Sequence, residues 1–265
     1  MSPDPSTVAA RSSESPTPSS ASPLSSLDGR VVLISGGAGG LGSAIARTLG
    51  EAGARVVLAD IDAERTRRRA EELSAEGLAA RALLLDVGDA AQCERAVAAV
   101  GEEFGRLDVL VNNAAIDVTA PLAELAVEDW RRVLAVNLFG ALVLAKHASA
   151  LMQRRGQGGH LINIASTASK RAWPNASAYH ATKWGLLGLS HALHAELRPQ
   201  RIRVCAIVAG GMRTPFLLDR FPGIDLDKLQ EPVHVARAVR YVLEQPEGTC
   251  VAEMTVLPEQ ETSWP

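Results

Sequence analysis

"RVVLISGGAGGLGSAIARTLG", residues 30–50, is the stretch that decides the fold. A β-branched apolar run leads straight into five glycines, and a helical pattern follows without a break. Strand, glycine-rich turn and helix in that order form the context in which a glycine fingerprint carries meaning. Glycine lets the backbone turn tightly and approach a phosphate, while the helix N-terminus offers free N–H groups and the positive end of its dipole. Three spacings fit. Gly37, Gly39 and Gly42 read as G-x-G-x-x-G; Gly36, Gly39 and Gly42 as G-x-x-G-x-x-G; Gly36, Gly40 and Gly42 as G-x-x-x-G-x-G. The loop by itself does not choose among them.

Outward from this unit the chain keeps alternating. Apolar runs at 30–35, 54–60, 80–86, 107–113, 160–166, 201–208 and 250–257 read as seven strands. They are apolar on both faces, as strands in a covered parallel sheet are. Helical stretches lie at 40–52, 63–76, 89–104, 127–155, 177–198 and 232–244. The pattern predicts an α/β fold: a single Rossmann-type doubly wound domain with a seven-stranded, mostly parallel sheet flanked by helices. Ligands of such sheets bind beyond the carboxyl ends of the strands.

The domain is expected over residues 27–265. Residues 1–26 carry ten Ser and five Pro with almost no large apolar side chain, so they read as a disordered tail. They lack the apolar core of a secretory signal. A net charge of −3 gives no support to nucleic-acid or membrane-surface binding. No apolar run approaches the ~18 residues of a membrane helix. Cys93, Cys205 and Cys250 show no C-x-x-C spacing and read as buried thiols in a reducing, cytoplasmic setting.

Asp60 ends the second strand, 18 residues after Gly42. An acid near this offset accepts hydrogen bonds from an adenosine ribose and repels a 2′-phosphate. The loop offers no Arg or Lys in its place, and Arg65 and Arg67 to Arg69 read as a solvated helix face. NAD is therefore expected over NADP.

The most specific segment is "INIASTASKRAWPNASAYHATKWG", residues 162–185. Tyr179 and Lys183 are four apart on a predicted helix and share a face. Ser166 ends a strand 13 residues before Tyr179. A phenol with an ordinary pKa of ~10 is a poor base at neutral pH, and a neighbouring ammonium favours the phenolate. Such a phenol can exchange a proton with an alcohol or carbonyl oxygen, with the Ser holding the same oxygen.

With these motifs together, the chain resembles the short-chain dehydrogenases/reductases over about residues 28 to 257. The resemblance places the family's cofactor loop on Ser35, Gly36, Gly40, Leu41 and Gly42, which leaves Gly37 and Gly39 as turn flexibility. It places the acid after the third strand on Asp86, followed by Val87. The family's N-N-A-G falls on Asn112, Asn113 and Ala114, with Ala115 in place of Gly. Its catalytic residues fall on Asn137, Ser166, Tyr179 and Lys183. Its nicotinamide segment falls on "AGGMRT", where Gly210 and Thr214 match and Ala209 replaces Pro. The end of the chain lacks the family's common Gly-rich segment.

The resemblance implies direct hydride transfer between a substrate carbon and C4 of nicotinamide. Tyr179 would be the acid/base, Lys183 would lower its pKa and bind the nicotinamide ribose, and Ser166 would position the substrate oxygen. Asn137 would hold a water that links Lys183 to solvent. Asn137 also reads as a structural residue in a helix bend, and Asp86 as an N-cap for the helix from Asp89. Trp184 reads as packing, and Trp173 as packing or a substrate contact. His191 and His194 have no third ligand in reach, so no metal is expected.

The substrate loop, 209–232, mixes Phe216, Leu217, Leu218, Phe221 and Ile224 with acids, and Arg213 and Arg220 are its cations. It reads as a lid over a small or medium apolar secondary alcohol or ketone. The resemblance also implies a homodimer or homotetramer built on 127–155 and 177–198. Two other readings stay open: an NADPH-dependent 3-oxoacyl-carrier-type reductase, and a non-catalytic dinucleotide sensor on the same fold.

Overall fold

The computed structural model describes residues 26–261. The Ser/Pro-rich stretch at 1–25 lies outside them, as do residues 262–265. The elements are β1 (Val31–Ser35), α1 (Gly40–Gly50), β2 (Arg55–Asp60), α2 (Ala63–Ala75), β3 (Ala80–Leu84), α3 (Ala90–Phe104) and β4 (Val109–Asn112). They continue with α4 (Val127–Leu134), α5 (Gly140–Arg155), β5 (Gly159–Ser166), α6 (Ser177–Leu197), β6 (Ile202–Ala209), α7 (Pro215–Leu218), α8 (Pro232–Leu243) and β7 (Glu253–Val256).

The seven strands form one sheet in the order β3-β2-β1-β4-β5-β6-β7, and every neighbouring pair is parallel. The antiparallel edge that "mostly parallel" allowed for is not used. Strand order reverses between β1 and β4, and that reversal opens a crevice at their carboxyl ends.

β1 shows why the strands are apolar throughout. Val32 and Ile34 pack with Leu41, Ile45 and Leu49 of α1 and Val235 and Val239 of α8. Val31 and Leu33, on the other face, pack with Val97 and Val100 of α3 and Leu144 of α5. Alternate residues thus feed two cores, so Val31 to Ile34 are all apolar and the polar Ser35 comes only at the carboxyl end.

The helical stretch 127–155 is one continuous rod with a π-helical segment, Ala135–Phe139, in its middle. Contrary to the sequence reading, Val127–Arg155 is long and apolar enough by length and composition to cross a membrane. Half of its most apolar window is buried inside the protein, where α5 packs on α3 and β4. Among the thiols, Cys93 and Cys205 are buried, but Cys250 is exposed, because it precedes edge strand β7.

Candidate active site

The glycine loop is walled on several sides. Gly36 has φ +64°, and a Cβ there would stand 2.9 Å from Ala114 Cα. A Cβ at Gly42 would meet the Gly36 carbonyl oxygen at 2.1 Å, and one at Gly40 would meet Thr214 Cγ2 at 2.7 Å. The 36/40/42 set therefore touches the β4 loop, its own turn and the substrate loop. Gly37 is more than turn flexibility: a Cβ there would lie 2.8 Å from Leu58 Cα on β2. Gly39 is the roomier position, with its nearest neighbour at 3.3 Å.

Ser35 and Asn113 hold this cradle together. The Ser35 hydroxyl accepts the Asn113 and Ala114 N–H groups at 3.1 and 3.2 Å. Asn113 Nδ2 donates to the Ser35 and Gly36 carbonyls, both at 3.0 Å. Asp60, buried at the base of the loop, accepts the Ala38 N–H at 3.1 Å. Helix α1 starts after Gly39 with no side-chain cap, and Leu41 turns into the core. A cradle that any Cβ would fill, below an uncapped helix start, fits the pyrophosphate of a dinucleotide.

Farther along the crevice, Asp86 accepts the Gly88 N–H at 2.8 Å, and Val87 beside it is buried. The N-cap of α3 is Asp89, whose side chain accepts the Ala91 and Gln92 N–H groups; Asp86 does not serve as that cap. At the other end, the Gly210 N–H donates to Val256 O at 2.8 Å, and the Gly211 N–H to Glu261 Oε2 at 3.1 Å. The segment after β7 closes on this loop through the Glu261 carboxylate. Thr214 is buried, and Pro215 starts the short helix α7 immediately after it.

Ser166, Tyr179, Lys183 and Asn137 converge beyond the ends of β4 and β5. The Ser166 hydroxyl accepts the Ala168 N–H at 3.1 Å, which leaves its own hydrogen free for the Tyr179 oxygen. Burial pushes the Tyr179 phenol up to about 12. The Ser166 hydrogen bond and the Arg220 cation pull it down, while the Asp117 carboxylate pushes it up. Lys183 sits one helical turn below. Its Nζ donates to the Ile164 carbonyl at 2.8 Å and lies 5.6 Å from the Tyr179 ring centroid. Burial lowers Lys183 to about 8.

Asn137 lies in the π-helical segment and is 1% exposed. Its Oδ1 accepts the Ile116 N–H at 2.8 Å, and its Nδ2 donates to the Ile116 carbonyl at 2.8 Å and to Thr182 Oγ1 at 3.1 Å. The structural role is thus present: Asn137 clamps the loop after β4 and ties it to α6. π-Bulges inside α-helices recur at functional sites.

The clamp aims a residue that the sequence reading missed. Asp117 follows Ile116, and its side chain is 5% exposed. It forms an ion pair with Arg220 of the substrate loop. Arg220 lies over Phe216, 4.0 Å from the ring centroid, and Phe216 in turn lies 6.0 Å from Tyr179. The loop therefore folds over the phenol, and it brings a charged pair rather than a purely apolar lining. Trp173 packs edge-on against His180, with centroids 4.2 Å apart, beside Tyr179. Trp184 is exposed rather than packed, and His191 and His194 face different partners, Glu253 and Cys250.

The family model described as short chain dehydrogenase matches residues 30–223. The chain belongs to that family. It is similar to the D-threitol dehydrogenase of Mycolicibacterium smegmatis, 40% identical over 181 residues, covering 68% of this chain and 69% of that protein. It also resembles the solved 3-ketoacyl-(acyl-carrier-protein) reductase from Brucella melitensis complexed with NADH. There the TM-score is 0.80 at 30% identity, covering 89% of this chain and 99% of that one. A metagenomic short-chain oxidoreductase in complex with NADP gives 0.78 at 33% identity, covering 88% and 99%. This family member is accordingly an oxidoreductase of small alcohol or carbonyl substrates that uses a nicotinamide dinucleotide.

Proposed function

We propose that the protein interconverts a secondary alcohol and its ketone with NAD(H) as the hydride carrier. The observation that carries this reading is Tyr179 on α6, packed against β5 where Ser166 ends the strand, with Lys183 one turn below and its Nζ 5.6 Å from the phenol ring. A sensor protein would have no use for a phenol so placed.

When bound, the nicotinamide supplies the site that accepts or gives the hydride. The chain's own residues do the rest. Tyr179 takes the hydroxyl proton as the alcohol is oxidised and returns it on reduction. Ser166 donates a second hydrogen bond to the same oxygen and fixes it against the phenol. Lys183 would favour the phenolate by its charge and hold the nicotinamide ribose. Asn137 holds the loop that shapes the pocket, and Thr182 connects that clamp to the carbonyl of Tyr179.

The cofactor pocket would use Ser35, Gly36, Gly40, Leu41, Gly42, Asp60, Asp86, Val87, Asn113, Ala114, Gly210 and Thr214. The buried Asp60 carboxylate supports NAD, since a 2′-phosphate there would meet a negative charge. Solved relatives with each cofactor leave the NADPH-dependent reductase as the second reading. The name of the D-threitol relative favours a hydroxyl-rich alcohol over the apolar one read from the loop. Exposed Phe139 and Leu142 on the long rod and exposed Trp184 on α6 support association of subunits through these two helices.

The test is turnover of an alcohol and ketone panel with NAD and NADP, using wild type and Tyr179→Phe. We expect NAD to be favoured about tenfold or more, a margin of ~1.4 kcal/mol. Tyr179→Phe should lose roughly 100-fold or more in turnover while still binding NADH. NADH binding with no turnover on any panel member would favour the sensor.

A further inference from the structure

Asp117 has no role in the reading above, and its geometry asks for one. Its side chain is almost wholly buried, paired with the arginine that lies over Phe216 beside Tyr179. Oδ2 is satisfied by Arg220 and by the Thr119 hydroxyl at 3.3 Å. Oδ1 is buried and has no hydrogen-bond partner. A buried carboxylate oxygen without a donor is costly, and native proteins rarely leave one so. No local donor is placed to satisfy it. Asn137 holds Ile116 at both its N–H and its carbonyl, so the backbone before Asp117 cannot turn to help.

Arg220 is committed as well. Its guanidinium is shared among Asp117, the Phe216 carbonyl at 2.7 Å and the Phe216 ring. It neutralises the carboxylate and fixes its rotamer, but it leaves the second oxygen buried and unpaired. Arg220 lies 4.0 Å from the Phe216 ring centroid and that ring lies 6.0 Å from the ring of Tyr179, so the Asp117–Arg220 pair borders the space next to the phenol, where Tyr179 and Ser166 would hold a substrate oxygen.

We infer that Asp117, pinned by Arg220, is a specificity-determining residue whose Oδ1 accepts a hydrogen bond from a second hydroxyl of the substrate near the reacting carbon. The site thereby takes vicinal diols and polyols in preference to simple secondary alcohols. The inference rests on Tyr179 handling the reacting hydroxyl, as proposed above. Discrimination of this kind is strong, because a substrate without the second hydroxyl leaves a buried acceptor unpaired.

The experiment compares kcat/KM for matched alcohols in wild type and Asp117→Ala. The pairs are 2,3-butanediol with 2-butanol and 1,2-cyclohexanediol with cyclohexanol. Wild type should favour each diol by roughly tenfold or more. Asp117→Ala should lose that preference, mainly through KM for the diols, while the mono-alcohols change little. If Asp117→Ala does not fold, Asp117→Asn carries the test. Its amide oxygen still accepts but lacks the charge, so the preference should fall without vanishing. Equal losses on diol and mono-alcohol would show that Asp117 only holds the loop, and would overturn the inference. So would a wild type that turns over mono-alcohols as well as diols, with the dehydrogenase reading left intact. Wild type that binds NADH yet oxidises none of the four would overturn the dehydrogenase reading, and this inference with it.

Discussion

Replacing Asn137 with alanine tests whether a residue that the family resemblance makes part of a proton relay also holds the fold. The side chain is 1% exposed and makes three hydrogen bonds. Thr182 keeps a partner after the change, because its hydroxyl also donates to the Tyr179 carbonyl at 2.8 Å. Ile116 does not: its N–H and its carbonyl both lose the amide. A buried polar group left unpaired costs ~1–3 kcal/mol, so two of them give roughly 2–6 kcal/mol. Water entering the space left by the amide offsets part of this, and ~3 kcal/mol is the expected loss. For a domain of this size each kcal/mol moves Tm by about 2–4 °C, so the fall should be about 6–12 °C. Calorimetry of the cofactor-free protein measures it, with Asn137→Asp as the control. Aspartate can still accept the Ile116 N–H, but it sets an acceptor against the Ile116 carbonyl, so it should melt no higher than the alanine variant. A fall of less than about 2 °C for Asn137→Ala would refute the clamp and leave only the relay.

Gly42→Ala puts a methyl where the Gly36 carbonyl oxygen now lies 2.1 Å away, so the loop backbone must move. NADH affinity by fluorescence titration should weaken about tenfold or more, and an unchanged Kd would refute the cradle. The chain has two tyrosines, so Tyr241→Phe leaves Tyr179 alone to be titrated by near-ultraviolet absorbance. Burial raises Tyr179 to about 12, so without cofactor no tyrosinate should form below about pH 10. The folded state keeps its proton where the unfolded chain has released one, so this group's contribution to stability is lost as pH rises from about 10 to about 12. A midpoint at or below about pH 9 without cofactor would refute the dominance of burial.

The order of strands and helices was legible because each signal is local. β1 is apolar on both faces since both faces are covered, and Asp89 and Thr214 stand at the starts of helices. The candidate site positions were picked out for a related reason. Ser166, Tyr179 and Lys183 fall within one short stretch whose strand–turn–helix course fixes their spacing. What escaped the sequence depends on contacts between distant segments. Asp117 and Arg220 are 103 residues apart, each in a loop with no periodicity, and either alone reads as a solvated charge. Gly37 looked idle because its constraint comes from the approach of β2, not from its own turn. The π-helical break at Ala135–Phe139 leaves no mark in the apolar pattern, since it changes the hydrogen-bond ladder and not the face that is buried.

The two ionisable groups of the site are pushed toward neutrality by the same burial. It raises the phenol to about 12 and lowers the amine to about 8. A phenol at about 12 is a feeble base near neutral pH, so the burial of Tyr179 has to be offset by positive charge for it to act as one. The groups of the loop supply little correction. Arg220 lowers the phenol and Asp117 raises it, and paired with each other they act as a dipole, not as a net charge. The remaining cation nearby is Lys183, whose ammonium is itself opposed by burial and is held to the Ile164 carbonyl. Positive charge brought to this crevice therefore does two things at once: it favours the phenolate, and the phenolate in turn favours the ammonium. Under the proposed function that charge arrives with the oxidised cofactor. Proton transfer by Tyr179 would then be coupled to cofactor binding through electrostatics.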